Sequence, residues 1–233
     1  MNIAAAIFDL AGLRGAFSEQ FADWDAAVRE SDPLKAKRAR RAIQRVAREG
    51  LSKSPATLGG FYLFYDPHVS DRLGGLNYVG IADSSRRPIG RRIEDRLKDD
   101  SSLDVALDEM DKSAVREIVT ARLLCALPKS GQNYVDKHLR VAALFRLSPI
   151  VILLGCEQSR ERIRETEKIL IASAAAAGAP LTNDTHMRFR GRASKAAIEL
   201  ADAVMVAAAA NGLPTNGISD WRESLSKIVT PTA

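Results

Sequence analysis

The stretch GGFYLFYDPHVSDRLGGLNYVGIADS, residues 59–84, constrains the fold more than any other part of the chain. Its two runs FYLFY and LNYVGIA are rich in β-favouring residues. They flank a segment carrying Asp66, Pro67, Asp71, Gly74 and Gly75. Aromatic and β-branched residues suit a pleated backbone, whereas Asp, Pro and Gly suit turns, so the pattern predicts a β-hairpin with a long loop. A third run, PIVILLG (149–155), is continuously apolar and of strand length, which predicts a central strand. Within the hairpin, Gly60 and Gly80 each stand two positions from a tyrosine, Tyr62 and Tyr78. Glycine weakens a strand but lets another group approach the backbone closely. A lone strand tyrosine most often packs, with its hydroxyl at the rim of the core.

Elsewhere the periodicity is helical. Phe17, Phe21, Trp24, Ala27 and Val28 recur at helical spacing. Pro33, after Asp32, suits the first turn of a second helix. On that helix Ala39, Ala42, Ile43, Val46 and Ala47 share one side, and Arg38, Arg41, Arg45 and Arg48 form a basic stripe. Ile89, Ile93 and Leu97 step by four through PIGRRIEDRLKDD, and residues 102–146 read as further helices. SRERIRETEKILIASAAAAG, KAAIELADAVMVAAAANG and DWRESLSKIV predict three more, the first two stopped by Gly178 with Pro180 and by Gly212 with Pro214. The fold class expected is α+β, a small antiparallel three-stranded sheet flanked by helices. The expected organisation is a helical N-terminal extension with the basic stripe (1–58), a core (59–184) with a helical insertion at about 99–148, and a basic segment with C-terminal helices (185–233).

Composition narrows the functional classes. Of 233 residues, 46% are hydrophobic and 27% charged, an ordinary soluble globular balance, and no apolar run is long enough to span a bilayer. The start, MNIAAAIFDLAGLRG, has no basic n-region and carries Asp9 in its apolar part, so it does not read as a signal peptide. Cys125 and Cys156 lie in apolar surroundings, which points to buried thiols in a reducing, cytoplasmic compartment rather than a disulfide or zinc site. The net charge of +5 is unevenly spread: residues 35–53 carry eight Lys or Arg against one Glu, and HMRFRGRASK (186–195) is a second basic cluster. Such runs are solvated helix faces or basic loops in most proteins, and contacts to a polyanion in some. If 188–192 is extended, Arg188, Arg190 and Arg192 face one way.

Three residues are unusual for their positions. Glu167 shares a helix face with Ile163, Leu170 and Ile171, so a carboxylate interrupts an apolar stripe. Such a group is either a glutamate at the rim of a core or a ligand for a hard cation such as Mg²⁺. Arg92 and Arg96, four apart beside Ile89 and Ile93, are either a solvated flank or a guanidinium pair for phosphate. His68, His138 and His186 have no metal-like spacing, and no Gly-rich phosphate loop or nucleophile elbow is present.

Taken in order, Gly60-Phe61-Tyr62, Tyr78-Val79-Gly80, Arg92 on a helix, Glu167 before Leu170-Ile171, and Pro180-x-x-Asn183 resemble the GIY-YIG nuclease superfamily over residues 59–184, about half the chain. The resemblance implies a phosphodiesterase with one divalent ion, Mg²⁺ or Mn²⁺, and a metal-assisted water. By position, Glu167 would hold the metal and Tyr62 would orient or deprotonate the water. Tyr78 would support the phosphate or the water network, Arg92 would stabilise phosphate charge, and Asn183 would brace the site. The glycines would leave room beside the hydroxyls for a phosphate. Arg96 stands where many members carry histidine, and would act as a second phosphate clamp. The gap to Asn183 and the 99–148 insertion are longer than in the family. The expected partner is double-stranded DNA, its backbone met by Arg38, Arg41, Arg45, Arg48, Arg188, Arg190 and Arg192, in a restriction-type enzyme that cuts as a homodimer and touches no membrane. The alternatives are a structure-specific repair or recombination nuclease and a nucleic-acid-binding module without catalysis.

Overall fold

The computed structural model describes residues 2–16, 26, 32–69, 72–83, 86–99, 147–183, 186 and 191–232. Four strands form one antiparallel sheet: β1 (Ala4–Asp9), β2 (Gly60–Tyr65), β3 (Leu76–Ala82) and β4 (Ile150–Gly155), in the order β1-β4-β2-β3. The hairpin is present, with Gly60 opposite Ala82 and Phe64 opposite Tyr78. PIVILLG becomes the interior strand β4, paired with β2 on one side and β1 on the other.

The expected three-stranded sheet is therefore corrected to four. The additional strand is AAAIFD, inside the segment read as a helical extension. Alanine favours helix in isolation, but β4 presents a second row of backbone donors and acceptors, and tertiary pairing overrides so weak a local preference. A pair of short strands, β5 (Gly191–Ser194) and β6 (Val229–Thr232), forms a separate parallel ribbon.

The described helices are α1 (Leu10–Ala16), α2 (Pro33–Gly50), α3 (Ile89–Asp99), α4 (Arg160–Ala176), α5 (Lys195–Ala209) and α6 (Thr215–Ile228). Their starts follow capping chemistry. Asp32 accepts from the N–H groups of Leu34 and Lys35 with Pro33 in the first turn, and Ser159 accepts from Arg162. The helices lie on both sides of the sheet. Phe61, Leu63, Tyr65, Val79, Ile152 and Leu154 face a core built with α4, α5 and α6, including Ile163, Leu170, Leu200 and Trp221. Tyr62, Phe64, Ala82, Val151 and Leu153 face the other core, closed by Ala47 of α2, Ile89 and Ile93 of α3, and Leu10 and Leu13 of α1. This explains why GFYLFY shows no polar alternation: every residue of β2 is buried, because both of its faces are covered.

Candidate functional site

Tyr62 and Tyr78 lie on the α3 side of the sheet, on neighbouring strands. Their rings stack with centroids 6.2 Å apart and 27° between planes, and Phe64 meets both edge-on at 6.1 Å. Tyr62 is 3% exposed and Tyr78 half-buried. Gly80 sits directly across from Tyr62, and a Cβ built there would fall against Cε2, Cζ and Oη of the Tyr62 phenol. The Tyr62 ring thus crosses the sheet over the space that a side chain at position 80 would fill. Gly60 answers a different need: its φ is +143°, and a Cβ would run into the backbone of β4 at Leu154 and Gly155. The room the glycines leave is taken by the Tyr62 ring and the neighbouring strand, which corrects the expectation that it holds a phosphate. Tyr65 points to the opposite core, where burial first and the Asp66 charge second push its phenol pKa upward.

Arg92 stands on α3, on the same side of the sheet as the tyrosines. Its neighbours Ile89 and Ile93 are fully buried against that face. Its Nε is buried and finds no hydrogen-bond partner among the described residues. A buried guanidinium N–H without an acceptor is costly, so the position is suited to an incoming one. Arg96 lies on the same helix, with its side chain outside the described residues.

The basic stripe of α2 borders this face. Arg38, Arg41 and Arg45 are exposed. Arg48 is tied to α3 instead: its Nη2 lies 2.5 Å from Oε1 of Glu94, a carboxylate only 4% exposed, while Arg91 holds Oε2 at 3.0 Å. Glu94 is a joint between α2 and α3 that sequence reasoning missed. It sits next to Ile93 and would read as a solvated flank without knowledge that α2 lies alongside. Arg192 is exposed on β5, whereas Arg188 and Arg190 lie outside the described residues, as does most of the 99–148 insertion.

Glu167 is half-buried on α4, whose Ile163, Leu170 and Ile171 enter the core on the opposite face of the sheet from Tyr62. Its helix also packs along β3, the strand of Tyr78. Asn183 closes the edge of that strand. Its Nδ2 donates to Val79 O at 2.8 Å and its Oδ1 accepts from Val79 N at 3.1 Å, so one amide satisfies the peptide groups between Tyr78 and Gly80. Among the described residues no cluster of three or more His, Cys, Asp or Glu could hold an ion. A single carboxylate can bind Mg²⁺ that keeps most of its water, which needs no such cluster.

A second polar cluster lies at the end of β3. Asp83 accepts from Arg160 Nε at 2.9 Å and Arg164 Nε at 2.8 Å, both from α4. Burial would raise the Asp83 pKa, but the two guanidinium hydrogen bonds prevail and hold it below the usual carboxylate value. Beside it opens a cleft of about 500 Å³ lined by Gly59, Asp83, Cys156, Gln158, Ser159 and Arg162, among others. None of Tyr62, Tyr78, Arg92 or Glu167 lines it. Burial pushes the Cys156 thiol up to about 11, so it is an inert packing group. Sequence spacing gave no sign of this cluster, because its members lie 77 and 81 residues apart.

Comparison with known protein families, with curated proteins and with solved structures finds no match to this chain.

Proposed function

We propose that the chain is a metal-dependent endonuclease of GIY-YIG type that hydrolyses phosphodiester bonds in double-stranded DNA, cutting at a short sequence in the manner of a restriction enzyme. The observation that supports it most is the shared face of Tyr62, Tyr78 and Arg92. Two stacked phenols stand on the sheet, and the helix above them carries a buried guanidinium N–H that lacks an acceptor. The exposed Arg38, Arg41 and Arg45 border that face and supply backbone contacts whose strength falls with salt.

In this reading Arg92 donates its unpaired Nε–H to a phosphoryl oxygen. Tyr78, the less buried phenol, supports the phosphate. Tyr62, fixed between Gly80 and Phe64, orients the attacking water and accepts its proton. The water oxygen bonds to phosphorus as the opposite phosphorus–oxygen bond breaks, and the departing oxygen is protonated from solvent. Only the phenolate form of Tyr62 can accept that proton. Mg²⁺ or Mn²⁺ held at Glu167 would add positive charge beside the phosphoryl oxygens. Asn183 keeps β3, and with it Tyr78, in place.

The test is incubation of supercoiled plasmid with the protein and Mg²⁺ or Mn²⁺, beside Glu167→Ala. Cutting by the wild type alone supports the reading; cutting by both proteins, or by neither, refutes it. A second reading, a nucleic-acid-binding module without catalysis, is favoured by one observation: the apolar residues around Glu167 enter the core on the face opposite Tyr62. Salt-dependent binding without cleavage would select it. A preference for flaps or lesions over plain duplex would select a repair or recombination nuclease.

A further inference from the structure

The sheet has two edges, and the chain treats them differently. The outer edge of β3 is closed by its own segment 182–183: Thr182 N–H donates to Asn77 O at 2.7 Å, and the Asn183 amide takes both peptide groups of Val79. Among the described residues the outer edge of β1 is open. Cys156 N–H donates to Gly59 O, so even-numbered residues of β4 turn their peptide groups toward β2 and odd-numbered ones toward β1. The register sets those odd-numbered residues opposite Ala4, Ala6 and Phe8. The backbone N–H and C=O of Ala5 and Ile7 and the N–H of Asp9 therefore point away from the sheet, with no hydrogen bond there among the described residues, while the Asp9 C=O, at the N-cap of α1, heads that helix.

Natural edge strands are guarded against pairing by lysine, proline, a bulge or an inward charge. AAAIFD has no lysine or proline, its register against β4 runs without a bulge, and its one charge is Asp9, at the end. At the middle of the open row is Ile7, 51% exposed and one of only three large hydrophobic residues exposed among the described ones.

We propose that β1 pairs antiparallel with β1 of a second copy of this chain, about a twofold axis perpendicular to the sheet, making one continuous eight-stranded sheet. Such an axis keeps each face of the sheet on its own side, so only residues of like parity can stand opposite one another. Centring the pair on Ile7 sets Ile7 against its counterpart and Ala5 against Asp9. Those are the residues whose peptide groups face the open edge, so reciprocal N–H···O=C bonds form at each, the Asp9 carbonyl using the lone pair that α1 leaves free. The two Ile7 side chains cover one another, and the two Asp9 carboxylates stand apart, each across from an alanine. A second copy fits this edge better than an unrelated strand because the row is complementary to itself in both hydrogen bonding and charge. The same axis leaves the Tyr62–Tyr78 faces of both copies on one side of the sheet, as two cuts in one duplex require; this last point alone rests on the nuclease reading.

Sedimentation velocity over a concentration series, without DNA or metal, tests the pairing independently of catalysis. The expected result is a mass rising with concentration from 25.3 kDa toward its double. Ile7→Lys should weaken the dimer about tenfold or more by placing like charges opposite each other. Val206→Lys, at an exposed apolar site on α5, should leave it unchanged. Amide hydrogen exchange of the wild type serves if Ile7→Lys does not fold. Ala5, Ile7 and Asp9 should slow as concentration rises, while Ala4, Ala6 and Phe8, already bonded to β4, should not change. A monomer at every concentration, a dimer indifferent to Ile7→Lys, or a dimer whose Ala5, Ile7 and Asp9 amides exchange as freely as in the monomer overturns the proposal.

Discussion

Replacing Gly80 with alanine asks whether the Tyr62 ring truly occupies the space above position 80. Gly80 lies in a regular strand, so an alanine there would by itself stabilise the protein by about 0.5–1 kcal/mol through the unfolded chain's lost freedom. The Tyr62 phenol blocks the new methyl group, and the ring cannot swing aside easily because Phe64 and Tyr78 pack against it. Overpacking of this kind costs about 1–3 kcal/mol. The net expectation is a loss of about 1–2 kcal/mol, or a Tm lower by roughly 2–8 °C for a chain of this size. In a Tyr62→Ala background the obstruction is gone, and Gly80→Ala should become stabilising. Urea titrations of the wild type, both single variants and the double variant give the coupling, expected to be about 1–3 kcal/mol. A Gly80→Ala variant at least as stable as the wild type, or a coupling near zero, would show that Tyr62 does not lie over Gly80.

Two further outcomes follow from the hydrogen bonds. Asn183→Ala leaves the buried N–H and C=O of Val79 without partners and should cost about 2–4 kcal/mol in a thermal or urea melt. Asp83→Asn should lower stability at pH 7 by about 1–2 kcal/mol, modest because Arg160 and Arg164 are more than half exposed. The Asp83 pKa is depressed in the folded state, so its contribution is present above the ordinary carboxylate value and lost as pH falls through the depressed one. The difference between wild type and Asp83→Asn should therefore shrink below about pH 4, and a constant difference down to pH 2 would contradict the assignment.

The parts of this fold that sequence made legible are those where local and tertiary preferences agree. FYLFY and LNYVGIA pair as expected because their turn-rich loop and β-favouring residues leave no competing structure. The apolar steps Ile89–Ile93 and Ile163–Leu170–Ile171 do face cores. β1 was not legible, since AAAIFD becomes a strand only because β4 has a second side to satisfy. The candidate site was legible as types and order, not as placement. Parity along β2 separates Tyr62 from Tyr65, but which helices cover each face is a property of the assembled sheet. Likewise Glu94 and Asp83 gain their meaning from arginines on other helices, and no spacing rule along the chain connects them.

We propose that Glu167 and the Tyr78–Gly80 strand serve one metal-dependent site, although Glu167 belongs to a helix on the other side of the sheet. Paramagnetic relaxation by Mn²⁺, read on the backbone amides of the wild type and of Glu167→Ala, tests it most directly. The expected result is broadening centred on both Glu167 and Tyr78–Gly80 in the wild type, and its loss in Glu167→Ala. Broadening confined to other acidic groups, absent from Tyr78–Gly80, or unchanged in Glu167→Ala would contradict it.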